Sequence, residues 1–116
     1  MASRIQLIAA LAIGLRGSSF FIGGSHDESW KNCRSFDPKE IITGCSAVIK
    51  SGEETDSKLA AAFNRRGLAY FHERDYDDSI ADFNQALLKE PDYVAALTNR
   101  GLAYASKGAY DTAKIS

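Results

Sequence analysis

Arg66-Gly67-Leu68-Ala69-Tyr70 recurs as Arg100-Gly101-Leu102-Ala103-Tyr104, 34 residues further along the chain. At the same offset Ala61-Ala62 matches Ala95-Ala96, and Tyr76-Asp77 matches Tyr110-Asp111. Nine of the 23 positions in 60–82 are identical in 94–116, so the match extends well beyond the five-residue core. A period of this length marks a supersecondary unit that buries its apolar face only by stacking on a neighbour. The residues between the two copies read as helix. In 77–89, Ile80, Phe83, Ala86 and Leu87 stand at i, i+3, i+6 and i+7, which is one stripe of a helix. Pro91 ends that helix and Asp92 is placed to cap the next. Gly67 and Gly101 carry no Cβ and so admit a close helix partner.

The pattern resembles the tetratricopeptide repeat, a helix-turn-helix unit. In the first copy Phe63 holds the large position, Gly67 the small one and Tyr70 the aromatic of the first helix. Ser79, Phe83 and Ala86 follow on the second helix, and Pro91 closes the unit. In the second copy Leu97, Gly101, Tyr104, Gly108, Tyr110 and Ala113 fit. The departures are Arg66 and Arg100 where Leu is common, and Ser79 where Ala is usual. The resemblance covers 60–116, about half of the chain. It implies an all-α fold of antiparallel helix-turn-helix repeats, with one unit at 60–93 and a second, shortened one at 94–116.

Residues 26–59 read as lead-in helices. Asp37-Pro38-Lys39-Glu40 has the form of a helix start, with a capping Asp, Pro at the first helical position and Glu three residues after the cap. The helix stops near Gly52. Ile42, Cys45 and Ile49 align with Ile80, Phe83 and Leu87 at an offset of 38, so this helix reads as half of an earlier unit. The expected order is a short helix at 27–34, then 38–51, 57–73, 77–89 and 93–106, and a sixth beginning at 110–116. The Trp30/Cys33 lead-in before a Cys-bearing helix resembles short exported bacterial proteins of the same repeat class. Cys33 and Cys45 admit three readings: a disulfide, a pair of reduced core thiols, or a redox or metal site. A disulfide suits an oxidising compartment and is the expectation. The C-x-x-C spacing of a redox motif and the ligand number of a metal site are both missing.

The N-terminal 25 residues have a different character. Arg4 and Arg16 flank an 11-residue run from Ile5 to Leu15 that is apolar except for Gln6, and no acid occurs. A run this short suits a secretory signal better than a membrane span, which needs about 20 apolar residues. We expect residues 1–25 to be a signal peptide or an N-terminal anchor, and the remainder to be exported, periplasmic or extracellular. Any membrane attachment is expected through this segment alone.

Of the 116 residues, 14 are Lys or Arg and 15 Asp or Glu, for a net charge of −1. A balance of this kind argues against a nucleic-acid partner, which calls for a basic excess. Little suggests catalysis. The hydrolase, zinc-protease, P-loop and dinucleotide fingerprints do not occur, and we expect no enzyme activity, no cofactor and no metal. Asp75, Asp77 and Asp78 read as an acidic helix start. Binding is the better reading. By the family resemblance, the groove positions include Asn64, Arg65, Leu68, Phe71 and His72 in the first copy and Thr98, Asn99 and Leu102 in the second. A carboxylate clamp of the kind some family members carry is not reproduced, because Leu68 and Leu102 occupy positions it needs polar. The expected partner is a protein or peptide of unspecified identity. The second copy stops at Ser116, and Lys114 stands where Ile80 stood. The expectation is an uncovered apolar side on helix 93–106, open to homodimerisation, or a structural fragment of a longer repeat protein with no partner of its own.

Overall fold

The computed structural model describes residues 25–115; the expected signal or anchor at 1–25 lies almost wholly outside them. The described residues form five helices and no strand: α1 (His26–Cys33), α2 (Pro38–Ser51), α3 (Asp56–His72), α4 (Tyr76–Lys89) and α5 (Val94–Ile115). Each packs chiefly on its neighbour in sequence. None is long and apolar enough to cross a membrane.

Local chemistry sets the boundaries. Ser25, Asp37, Thr55 and Asp75 cap α1 to α4, each side chain accepting a first-turn backbone N–H. At Asp37 the reciprocal half of the expected box is rerouted. Glu40 accepts from the Ser35 hydroxyl at 2.6 Å, and the Asp37 N–H donates to that same hydroxyl oxygen at 3.1 Å. Gly52 ends α2 at φ 70°, the left-handed conformation that favours glycine. Arg74, at φ 64°, makes the tight turn from α3 to α4.

The α3–α4 hairpin is the repeat unit. Phe83 is fully buried, with its ring over Gly67. A Cβ on Gly67 would stand 2.7 Å from that ring, which is why the position needs glycine. Ser79, also fully buried, donates its hydroxyl to the Gly67 carbonyl at 2.8 Å. That bond satisfies the polar atom that Ser brings to a place where Ala is usual. Phe63, Ala60, Ala86 and Ala96 then join α3, α4 and α5 in one apolar cluster. Pro91 lies exposed in the α4–α5 connection.

The second copy departs from the expected pattern. Instead of a helix at 93–106, a turn and a new helix, α5 runs unbroken from Val94 to Ile115. Two substitutions account for this. Ala109 stands where Asp75 caps α4, and it offers no acceptor for the orphan N–H groups of a new helix. Lys114 replaces Ile80, so a second helix would lose the apolar anchor that docks α4. The face that Gly67 and Tyr70 bury in copy one is therefore open in copy two. Gly101 has nothing within 4 Å of its Cβ position. Leu97, Leu102, Tyr104 and Tyr110 are 44–55% exposed.

Cys33 and Cys45 form a disulfide, the first of the three readings, with both residues fully buried. It joins α1 to α2, inside a cluster with Val48 and Ala62. Gly44 permits the contact: a Cβ there would meet the Cys33 backbone at 2.4 Å.

Candidate functional site

One side of α3 carries Lys58, Ala61, Arg65, Leu68 and His72, spaced i, i+3, i+7, i+10 and i+14. That spacing keeps them on a single stripe. Two cavities open along it. The larger, about 520 Å3, lies between α1, the α2–α3 connection and the start of α3, and its lining includes Trp30, Arg34, Glu54, Lys58 and Arg65. The smaller, about 200 Å3, is lined by Phe36, Ile41, Leu68 and His72, again with Arg65. Arg65 lines both, so the two adjoin at that residue along the stripe, as two segments of a cleft.

The wall of the larger cavity is fixed by hydrogen bonds. Trp30 Nε1 donates to Glu54 Oε2 at 2.7 Å, and His26 Nε2 meets the same oxygen. The Glu54 side chain is only 7% exposed. The indole N–H, followed by the His26 ring, holds its carboxyl below the ordinary carboxylate range. Arg65 is anchored through Nε, which donates to the Cys33 carbonyl at 2.8 Å. The disulfide-bearing end of α1 thus positions the central cation of the cleft. Arg34 lies over the Trp30 ring, 5.1 Å from its centroid.

The other residues expected in the groove have different surroundings. Asn64 is only 6% exposed, and its carboxamide oxygen accepts from Asn99 Nδ2 at 3.1 Å. These two are spent on each other, tying α3 to α5. Leu68 and Phe71 both pack against the Ile80, Phe83 and Ala103 cluster, but only Leu68 also lines the smaller cavity, whereas the Phe71 ring makes edge-to-face contact with Tyr76 at the α3–α4–α5 junction. Thr98 and Leu102 are exposed on α5 and line neither segment of the cleft. Among the described residues no group of three His, Cys, Asp or Glu is placed to hold a metal ion.

Arg66, read from sequence as a departure from the repeat pattern, proves to be a connector. Its Nε and Nη2 donate to the two oxygens of Asp82 at 2.7 and 2.8 Å, and Nη1 donates to the Ser46 hydroxyl at 2.9 Å. One guanidinium therefore joins α2, α3 and α4, stacked near the Phe63 and Tyr70 rings. Arg100 repeats the backward bond, donating to the Asn84 carboxamide at 2.8 Å. Asn84 lies 38 positions after Ser46, the offset at which α2 aligns with α4. The shared bond is independent support for α2 as the second helix of an earlier unit.

Residues 60–93 match the family model of the tetratricopeptide repeat. The chain is 37% identical over 60 residues to the "Tetratricopeptide repeat domain-containing protein PYG7, chloroplastic" of Arabidopsis thaliana, covering 52% of this chain and 20% of that protein. It is also 37% identical over 59 residues to the "Tetratricopeptide repeat protein 13" of Homo sapiens, covering 51% of this chain and 6% of that protein. The chain thus spans a fifth or less of the length of these curated relatives. No solved structure matches it. Repeat period, hairpin packing and these likenesses agree in identifying residues 60–93 as a tetratricopeptide repeat.

Proposed function

We propose that this chain is a non-catalytic protein-interaction module that takes a peptide or partner segment along the α3 stripe. The observation that carries the reading is the cleft whose two segments share Arg65. Its total volume falls within the range of ligand-binding clefts, and an extended chain could cross both segments. Likeness to a family of interaction scaffolds supports the non-catalytic part of the reading.

The test is crosslinking and co-purification with Leu68→Ala and His72→Ala variants. Both side chains line the cleft, and neither is fully buried. Loss of the captured partner in these variants supports the reading, and an unchanged partner profile refutes it. Export, or tethering by the N-terminal segment, is part of the same proposal. The buried Cys33–Cys45 disulfide supports it, because such bonds persist in oxidising compartments. Fractionation showing the oxidised chain confined to the cytosol would contradict it.

A second reading concerns α5. Its open Leu97, Leu102 and Tyr104 favour a second copy of the chain docking there. Sedimentation velocity showing a monomer at all concentrations would remove that reading.

A further inference from the structure

We infer that the occupant of the α3 cleft is an acidic peptide, with a carboxylate side chain seated among Arg34, Lys58 and Arg65 and a neighbouring apolar side chain against Phe36 and Leu68. This inference rests on the interaction-module reading and names the partner's chemistry.

Charge complementarity points to this occupant. The larger segment of the cleft is lined by three cations, Arg34, Lys58 and Arg65, and two acids, Asp27 and Glu54. Glu54 already accepts from Trp30 and meets His26. Asp27 lies in the first turn of α1, where the helix N-terminus favours an acid. No carboxylate among the described residues is within ion-pair distance of Arg34, Lys58 or Arg65. Lys58 acts on Glu54 only at longer range. A cation excess therefore lines this cavity in a chain whose net charge is −1.

Arg65 has the geometry to use that excess. Its Nε is committed to the Cys33 carbonyl, which fixes the guanidinium while its two terminal nitrogens have no acceptor among the described residues. A guanidinium edge held in this way suits a carboxylate taken through two parallel N–H···O bonds. The adjoining segment chooses between a free anion and a peptide. Phe36 is fully exposed there, and Leu68 stands on the stripe three residues after Arg65. An inorganic anion would leave this apolar segment empty, whereas a peptide with alternating acidic and apolar residues fills both.

Trp30 is the chain's single tryptophan and lines the charged segment, so its emission reports occupancy directly. The probe is a twelve-residue peptide, Ser-Glu-Glu-Leu repeated three times, titrated into the oxidised 116-residue chain. Controls are the same peptide with Gln for Glu, and inorganic phosphate. The acidic peptide should bind about 10-fold more tightly than its Gln counterpart, the range expected for a charge-assisted bidentate contact. That advantage should shrink as salt is raised. Arg65→Gln should abolish it. Because Arg65 also holds the Cys33 carbonyl, exposed Lys58→Gln serves as the second variant and should reduce the preference several-fold with an unchanged melting temperature.

Equal binding of the acidic and Gln peptides, weakened for both by Leu68→Ala, would overturn the acidic partner and leave the interaction face standing. Full displacement of the peptide by phosphate at similar concentration would overturn the peptide in favour of a simple anion. No binding of either peptide would overturn the inference. If Leu68→Ala also cost no captured partner, the interaction-module reading would fall with it.

Discussion

Gly67 and Gly101 hold the same place in the two copies of the repeat, yet alanine should act on them in opposite directions. At Gly67 the new Cβ would meet Phe83 Cε1 at 2.7 Å and Cδ1 at 2.9 Å. Phe83 is fully buried, so its ring has no solvent side to move toward. Overpacking of this kind costs roughly 1–3 kcal/mol, against about 1 kcal/mol regained from helix propensity. The expected net is a loss of up to about 2 kcal/mol, centred near 1 kcal/mol. At Gly101 nothing lies within 4 Å, so only the propensity gain applies, a stabilisation of roughly 0.5–1 kcal/mol. The two variants should differ by about 2 kcal/mol, readable as well-separated urea midpoints in far-UV circular dichroism. The reasoning fails if both substitutions move stability the same way. Running both at low and high protein concentration adds a second readout. A cost at Gly101 that grows with concentration would place a second copy closely on α5.

Arg66→Ala should cost roughly 3 kcal/mol in the same assay, because it leaves Asp82 buried without its partner. Arg100→Ala, which loses a single bond to the neutral Asn84, should cost about 1 kcal/mol. Reducing the Cys33–Cys45 bond releases a loop of about 13 residues and should lower stability by about 3 kcal/mol. Equal urea midpoints with and without reductant would contradict this. Acid should weaken the fold through Glu54. Its carboxyl is held below the ordinary value of 4.5 in the folded state, so its contribution is present above that value and lost as pH falls through the lowered one. Glu54→Gln should flatten melting temperature against pH in that acid window, and an unchanged slope would show that the Trp30 and His26 contacts do not matter there.

The hairpin was legible because its information is local. The small position at Gly67, the aromatic one at Phe83, the Pro91 break and the helix starts at Asp37 and Asp75 all follow from residue type and spacing along one or two helices. The Cys33–Cys45 bond is one of three readings of the sequence, and the covalent link between the two sulfurs, made where α1 packs on α2, decides among them. The sixth helix was misread because Gly108 and Tyr110 kept the repeat's lettering, while the missing cap at Ala109 and the missing anchor at Lys114 removed its support. Arg66 looked like a departure because its two partners, Ser46 and Asp82, lie 20 positions before and 16 after it and meet only once three helices are stacked. Asn64 and Phe71 share a helix with Leu68, but periodicity alone does not say which edge of the stripe α5 will cover. The cavity wall was the least legible part. Trp30 and Glu54 are 24 positions apart, and only the packing of α1 beside the α2–α3 connection joins them.

The central claim is that the α3 stripe is the face this chain presents to a partner. An amide and indole chemical-shift map of the labelled, oxidised chain, titrated with the Ser-Glu-Glu-Leu peptide, tests it most directly. The account predicts the largest changes at the Trp30 indole N–H, Lys58, Arg65, Leu68 and His72, with the outer face of α4 around Ala81, Gln85 and Leu88 unmoved. Changes centred on that outer face, or on Leu97 and Leu102 of α5, would contradict it.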